Sequence, residues 1–157
     1  MFIGEGPGAD EDMQGVPFVG KAGKNLDEFL ELSGIERETL YITNTVKFRP
    51  TAEGKRGLVN RKPSMSEIEA FRPWLIEELG IIKPTCIVTL GNVPFQALTR
   101  SRETIGAVHG RFIEAEGFLV YPMYHPASVI YNRSLKDVYR NDVIALGEWM
   151  RENVQNS

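Results

Sequence analysis

Three stretches of the chain, with a few single residues, gather side chains and backbone groups able to act on a ligand. Residues 4–12 read GEGPGADED. Gly4, Gly6 and Gly8 let backbone amides come close to a bound group, and Asp10, Glu11 and Asp12 follow as a run of carboxylates. Gly4, Gly6 and Ala9 loosely match a dinucleotide fingerprint, but Pro7 lacks an amide donor and the acids repel a pyrophosphate. The acidic residue such a site wants after its second strand is also missing, with Asn44 in its place. Residues 15–23, GVPFVGKAG, hold Phe18 between glycines at a loop tip, where its ring offers a stacking face. Taken singly, Phe18 is a core-filling aromatic, Asn44 a turn former, and His125, followed by Pro126, a satisfied or exposed histidine. His109 has nothing distinctive around it. The third stretch, residues 47–62, sets Lys47, Arg49, Lys55, Arg56, Arg61 and Lys62 against Glu53 alone. Six cations less one acid is a local charge of +5, in a chain of net charge −3; by itself such a run is a solvated loop.

The elements that carry these stretches follow from hydrophobic periodicity. Residues 1–3 read as a short strand feeding the glycine-rich turn. Leu26, Phe29, Leu30 and Leu32 have helical spacing, and Gly34 ends that run as a C-cap does. Residues 40–44 (LYITN) form the next strand, and 45–63 read as a long polar loop. Ser66 is placed to cap a helix running to Leu79, kinked at Pro73. Residues 85–90 (TCIVTL) are continuously apolar, as in a strand buried on both faces. Gly91-Asn92 then turns into a helix near 93–99, a hairpin spans 111–121, and a final helix runs from about Leu135 to Val154. The pattern predicts an α/β fold of three αβα layers around a mainly parallel, four-stranded sheet. Binding sites in such sheets lie at the carboxyl ends of the strands. Residues 4–12, Asn44, Gly91-Asn92 and Tyr124-His125-Pro126 all fall there.

The 157 residues, 42% hydrophobic and 25% charged, suit one domain over 1–157 with a sizeable core. No apolar run reaches the ~18 residues of a membrane span, and the start MFIGEGPG has no basic leader region. Cys86 is the single cysteine, so no internal disulfide forms and a reducing cytoplasm is expected. A monomer is the expected state.

In order and spacing, GEGPGADED, GVPFVGKAG, YITNTVKFRP, IVTLGNVP and YHPAS closely resemble family 4 uracil-DNA glycosylases. The resemblance spans about residues 2–133 and implies that family's fold, with uracil-containing DNA as the partner. It implies a monofunctional repair enzyme that flips uracil out of DNA and hydrolyses its N-glycosidic bond. His125 then stabilises the charge that develops on the departing base. Glu11 aids the positive sugar and orients a water, with Glu5 and Asp12 as supporting carboxylates. Asn44 reads the edge that separates uracil from cytosine, Phe18 stacks on the flipped base, and the backbone of Gly6, Pro7 and Gly8 lines the pocket. DNA contacts fall to Lys62-Pro63-Ser64, to Gly91 and Asn92, to Ser128, and to the stretch through Val129, Ile130, Tyr131, Asn132 and Arg133, where an apolar wedge enters the duplex. A non-catalytic damage-binding relative and a nucleoside or nucleotide hydrolase on the same fold are the alternatives; the basic stretch favours a polymer substrate.

The sequence departs from the resemblance in one chemical respect. Family 4 members hold an iron–sulfur cluster on four cysteine thiolates. Phe48 and Phe71 stand where two of those ligands belong, and the family's other pair lies upstream of the first strand, in a segment without a counterpart here. No cluster is expected, and Phe48 and Phe71 are expected to pack together in its space.

Overall fold

The computed structural model describes residues 1–154; the final three positions of the expected domain lie outside the described residues. Five strands form the central sheet. β1 (Phe2–Gly4) lies between β2 (Ile42–Asn44) and β5 (Ile87–Leu90), parallel to both. A separate hairpin, β3 (Thr51–Gly54) and β4 (Gly57–Asn60), stands outside that sheet. β6 (Ile113–Ala115) and β7 (Phe118–Met123) complete the sheet, β7 parallel to β5 and β6 antiparallel at the edge. The order is β2-β1-β5-β7-β6. The expected four strands are therefore five. Both arms of the 111–121 hairpin join the sheet, because Ile113, Glu114 and Ala115 pair with Val120, Leu119 and Phe118.

Successive side chains of a strand point to opposite faces, and here each face has its own core. Phe2, Val88 and Tyr121 pack with Leu26, Phe29, Tyr139, Val143 and Leu146. Ile3, Ile87 and Val120 pack with Leu75, Leu79, Phe95 and Leu98. The first face is covered by α2 (Lys21–Ser33) and α7 (Lys136–Asn153), which pack on each other. The second is covered by α3 (Met65–Ile82) and α4 (Asn92–Thr99). Gly147 allows the α2–α7 approach, since a Cβ there would stand 2.5 Å from the Ser33 carbonyl oxygen.

Three local expectations are corrected. Residues 45–63 are not a continuous loop but contain the β3–β4 hairpin. Its β4 residues are exposed throughout, so the inside–outside alternation that announces a strand is absent. Ser64, not Ser66, caps α3: its Oγ accepts the Glu67 N–H at 3.2 Å while the Glu67 carboxylate accepts the Ser64 N–H at 2.7 Å. The acidic run after β1 forms a short helix, α1 (Ala9–Gln14), between Gly8 and a left-handed Gly15. The short helices α5 (Ile105–Val108) and α6 (Ser128–Tyr131) also add to the expected elements.

Candidate active site

The carboxyl ends of β1, β2 and β7 open into one cavity of about 740 Å³. Gly6, Pro7, Gly8, Glu11, Phe18, Asn44, Lys62 and His125 all line it. Segments as distant in sequence as residues 6 and 125 thus converge, as the strand-end argument requires. Gly4 sits where these segments crowd together. A Cβ there would stand 2.5 Å from Asn44 Oδ1 and 2.6 Å from the Phe18 ring. Glycine is needed at that position for Asn44 and Phe18 to share one wall.

Asn44 ends β2 and is 7% exposed. Its Oδ1 is buried and has no hydrogen-bond partner among the described residues. A buried polar atom in that state carries a desolvation cost that a ligand donor relieves. The backbone behind it is fixed: Lys47 Nζ donates to the Asn44 carbonyl at 2.8 Å, to Thr43 Oγ1 at 2.7 Å and to the Glu78 carboxylate. Phe18 is nearly buried, and its ring lies 5.8 Å from that of His125.

His125 follows β7 at the cavity wall. The Ala127 N–H donates to its Nδ1 at 3.1 Å. A neutral imidazole accepting there carries its proton on Nε2. Burial pulls the His125 pKa down to about 4, against a smaller upward pull from the nearby Glu11 carboxylate. His125 is therefore an uncharged Nε2–H donor at neutral pH. Gly91 lies behind it with φ of 97°, a conformation suited to glycine, and a Cβ there would approach His125 Cβ to 3.4 Å.

Glu11 ties the glycine-rich turn to the loop carrying Phe18. Its Oε2 accepts the Gly8 N–H at 3.1 Å, and its Oε1 accepts those of Val19 and Gly20 at 3.1 and 3.0 Å. Burial works to raise its pKa, but the hydrogen bonds from Gly20, Val19 and Gly8 prevail and hold it below the usual carboxylate value. It stays ionised, with lone-pair capacity left over for a water. Glu5, also on the cavity wall, is pushed the other way, its pKa raised by burial against the opposing Lys62 charge.

The other residues expected to meet DNA are spread around this cavity rather than in it. Ser64 and its N–H are engaged in capping α3. Asn92 Oδ1 accepts the Ile105 N–H at 2.7 Å. Pro63 is buried, Ser128 is partly exposed and Arg133 is exposed. Of the wedge candidates, Val129 is buried, whereas Ile130 and Tyr131 reach the cavity rim and Tyr131 is 88% exposed. Two of the six cations in 47–62 are spent on α3: Lys47 pairs with Glu78, and Arg61 makes a two-pronged pair with Glu67 at 2.7 and 2.8 Å. Asn60, Pro50, Lys21 and Ala22 also line the cavity, and nothing in their local sequence marks them. They enter only because the base of the β3–β4 hairpin and the start of α2 pass beside the glycine-rich turn.

The family model for the uracil DNA glycosylase superfamily matches residues 1–146. The chain belongs to the uracil-DNA glycosylase superfamily. It is 41% identical over 151 residues to the type-4 uracil-DNA glycosylase of Saccharolobus solfataricus, covering 90% of this chain and 67% of that one. To the type-4 enzyme of Archaeoglobus fulgidus it is 39% identical over 156 residues, 94% of this chain and 75% of the other. The type-4 enzyme of Thermotoga maritima is 40% identical over 136 residues, covering 85% and 67%. Within this glycosylase fold, the residues present do not fit an iron–sulfur cluster. Cluster ligands are thiolates, and Cys86 is the chain's single cysteine. It is buried, with its pKa pushed up to about 11 by that burial against the pull of the nearby N-terminus. Phe48 and Phe71 stack with ring centroids 5.6 Å apart, against Val46, Ile68, Val93 and Ala97.

Proposed function

We propose that this protein removes uracil from DNA by hydrolysing the N-glycosidic bond, and that it does so without an iron–sulfur cluster. The observation that carries the reading is the unpartnered, buried Asn44 Oδ1, set beside the Phe18 ring in the cavity that His125 also lines. Uracil presents an N3–H donor and an O4 acceptor on one edge, and the Asn44 amide complements both. Cytosine reverses that pattern and leaves both amide groups unpaired, a mismatch that costs about 10⁴–10⁵ in selectivity in sites of this kind. Phe18 stacks on the extruded base. As the bond breaks, negative charge gathers on the departing base and the His125 Nε2–H donates to it. The ionised Glu11 favours the positive sugar and holds the water that adds to it.

DNA reaches the cavity over the β3–β4 hairpin, where Lys55 and Arg56 at the tip and Lys62 at the base supply charge for phosphates. Tyr131, at the cavity rim, is the side chain that enters the space the base vacates. The protein acts as a monomer in the cytoplasm. The absence of a cluster is supported by the stacked Phe48 and Phe71, which fill their site with an apolar core.

The test is an oligonucleotide carrying one uracil, incubated with the protein and then treated with alkali. Scission at the uracil is expected. His125→Ala should lower the single-turnover rate by about 10²–10³, the cost of removing one oxyanion donor. Binding without scission instead favours a damage-binding protein, and release from free nucleosides alone favours a nucleoside hydrolase. Iron and acid-labile sulfide assays on the active protein should read zero.

A further inference from the structure

Phe18 adopts φ of 53°, in the left-handed region that a bulky L residue occupies only when its surroundings hold it there. Two devices hold it. After Phe18, the amides of Val19 and Gly20 are fixed by Glu11. Before it, Arg37, in the 3-10 turn Arg37–Thr39, donates through Nη2 to the carbonyls of Pro17 at 2.8 Å and Phe18 at 2.9 Å. The same guanidinium donates through Nη1 to Asp27 Oδ1 on α2 at 2.6 Å. Gly23 completes the arrangement: a Cβ there would stand 2.0 Å from the Phe18 oxygen, so α2 lies directly against that carbonyl.

We propose that Arg37 is a positioning residue, tying the Pro17 and Phe18 carbonyls to Asp27 so that the strained turn keeps the Phe18 ring at the base-stacking wall. This rests on reading the cavity as a uracil pocket. Arg37 does not line the cavity itself. A planar fork suits the task, because one nitrogen spans the two carbonyls while the next reaches the carboxylate, with both directions fixed by the rigid guanidinium. The pair is partly exposed, with side chains 25% and 46% accessible, and such pairs add little to stability. Its consequence is geometric: once the carbonyls are released, Phe18 relaxes toward ordinary φ and its ring leaves the wall shared with Asn44 and His125.

The experiment is a double-mutant cycle on uracil release. Arg37→Ala should lower the single-turnover rate on the order of 10²-fold, as a displaced group remote from the chemistry can, with a small change in melting temperature. Arg37→Lys should recover part of the loss. In a Phe18→Ala background, Arg37→Ala should change the rate within about twofold, because the ring it positions is gone. Asp27→Asn, which leaves the guanidinium in place, should show a smaller loss in the same direction and serves if Arg37→Ala does not fold. A wild-type rate in Arg37→Ala, or an equal loss with and without the Phe18 ring, overturns the proposal. A wild-type protein that releases no uracil sinks the parent reading instead. Amide exchange at Val19 and Gly20 then still decides the clamp: it should quicken in Arg37→Ala, and unchanged protection rejects it.

Discussion

An imidazole held neutral, with its proton on Nε2, acts as a hydrogen-bond donor rather than an acid, and this sets the pH behaviour of the site. Because the His125 pKa lies near 4 and that of Glu11 is lowered as well, both groups keep their working forms well below neutrality. The rate of uracil release should pass through pH 6.5 without an inflection and fall only below the ordinary carboxylate range, where Glu11 is neutralised, because a protonated His125 still donates from Nε2. A rate profile titrating at the ordinary histidine value contradicts this. Stability follows the same linkage: between 6.5 and about 4 the unfolded chain binds a proton at this histidine that the folded chain does not. Acidification across that window should therefore destabilise the wild type more than His125→Ala, as read by denaturant midpoints. Asn44 supports a second prediction at this scale. Asn44→Asp keeps an acceptor for N3–H but loses the donor to O4, so uracil release should fall by about 10–100-fold, the cost of one mismatched polar contact. Equal rates for the two proteins reject the edge-reading role.

The β3–β4 hairpin buries little of its own, since β4 is exposed along its length and Leu58 and Val59 face solvent. An element that buries so little gains its purpose from what it meets. Its tip residues Lys55 and Arg56 are not engaged by α3, unlike Lys47 and Arg61. Replacing both with Gln should reduce the salt dependence of DNA binding by about one to two units of log–log slope, near 0.9 for each phosphate no longer neutralised. Release of uracil from short single strands should change less. An unaltered slope removes the hairpin from the DNA interface. At the cavity rim, α6 buries Val129 and leaves Tyr131 exposed. Tyr131→Ala should slow release from duplex DNA more than from single strands, because only the duplex collapses behind a flipped base.

The molecule as a whole is a sheet with a core on each face and a third, smaller core of Val46, Ile68, Val93 and Ala97, against which Phe48 and Phe71 pack. That third core ties the start of the hairpin segment to α3. Phe48→Cys with Phe71→Cys should restore no cluster and should cost about 2–4 kcal/mol, as large-to-small replacements in a packed site do. An unchanged midpoint in urea shows that the two rings contribute nothing there. Spatial closeness at this scale also explains His109, which has no local signal: its Nδ1 lies 2.7 Å from Asp142 Oδ2, a partner supplied by the final helix.

The order of residues was enough to specify the layered α/β plan, the strand ends where the chemistry gathers, and the four side chains Glu11, Phe18, Asn44 and His125 that meet at one cavity. The plan and the strand ends are written locally, in apolar runs and glycine punctuation, whereas the four side chains, unremarkable singly, are legible only through the family resemblance carried by motif order. Folding in three dimensions was needed for the neutral form of His125, the orphaned oxygen of Asn44 and the Arg37 hold on Phe18. Each depends on atoms brought together from positions well separated along the chain, or on how much water reaches them, and neither distance nor solvation is encoded in any single stretch of residues.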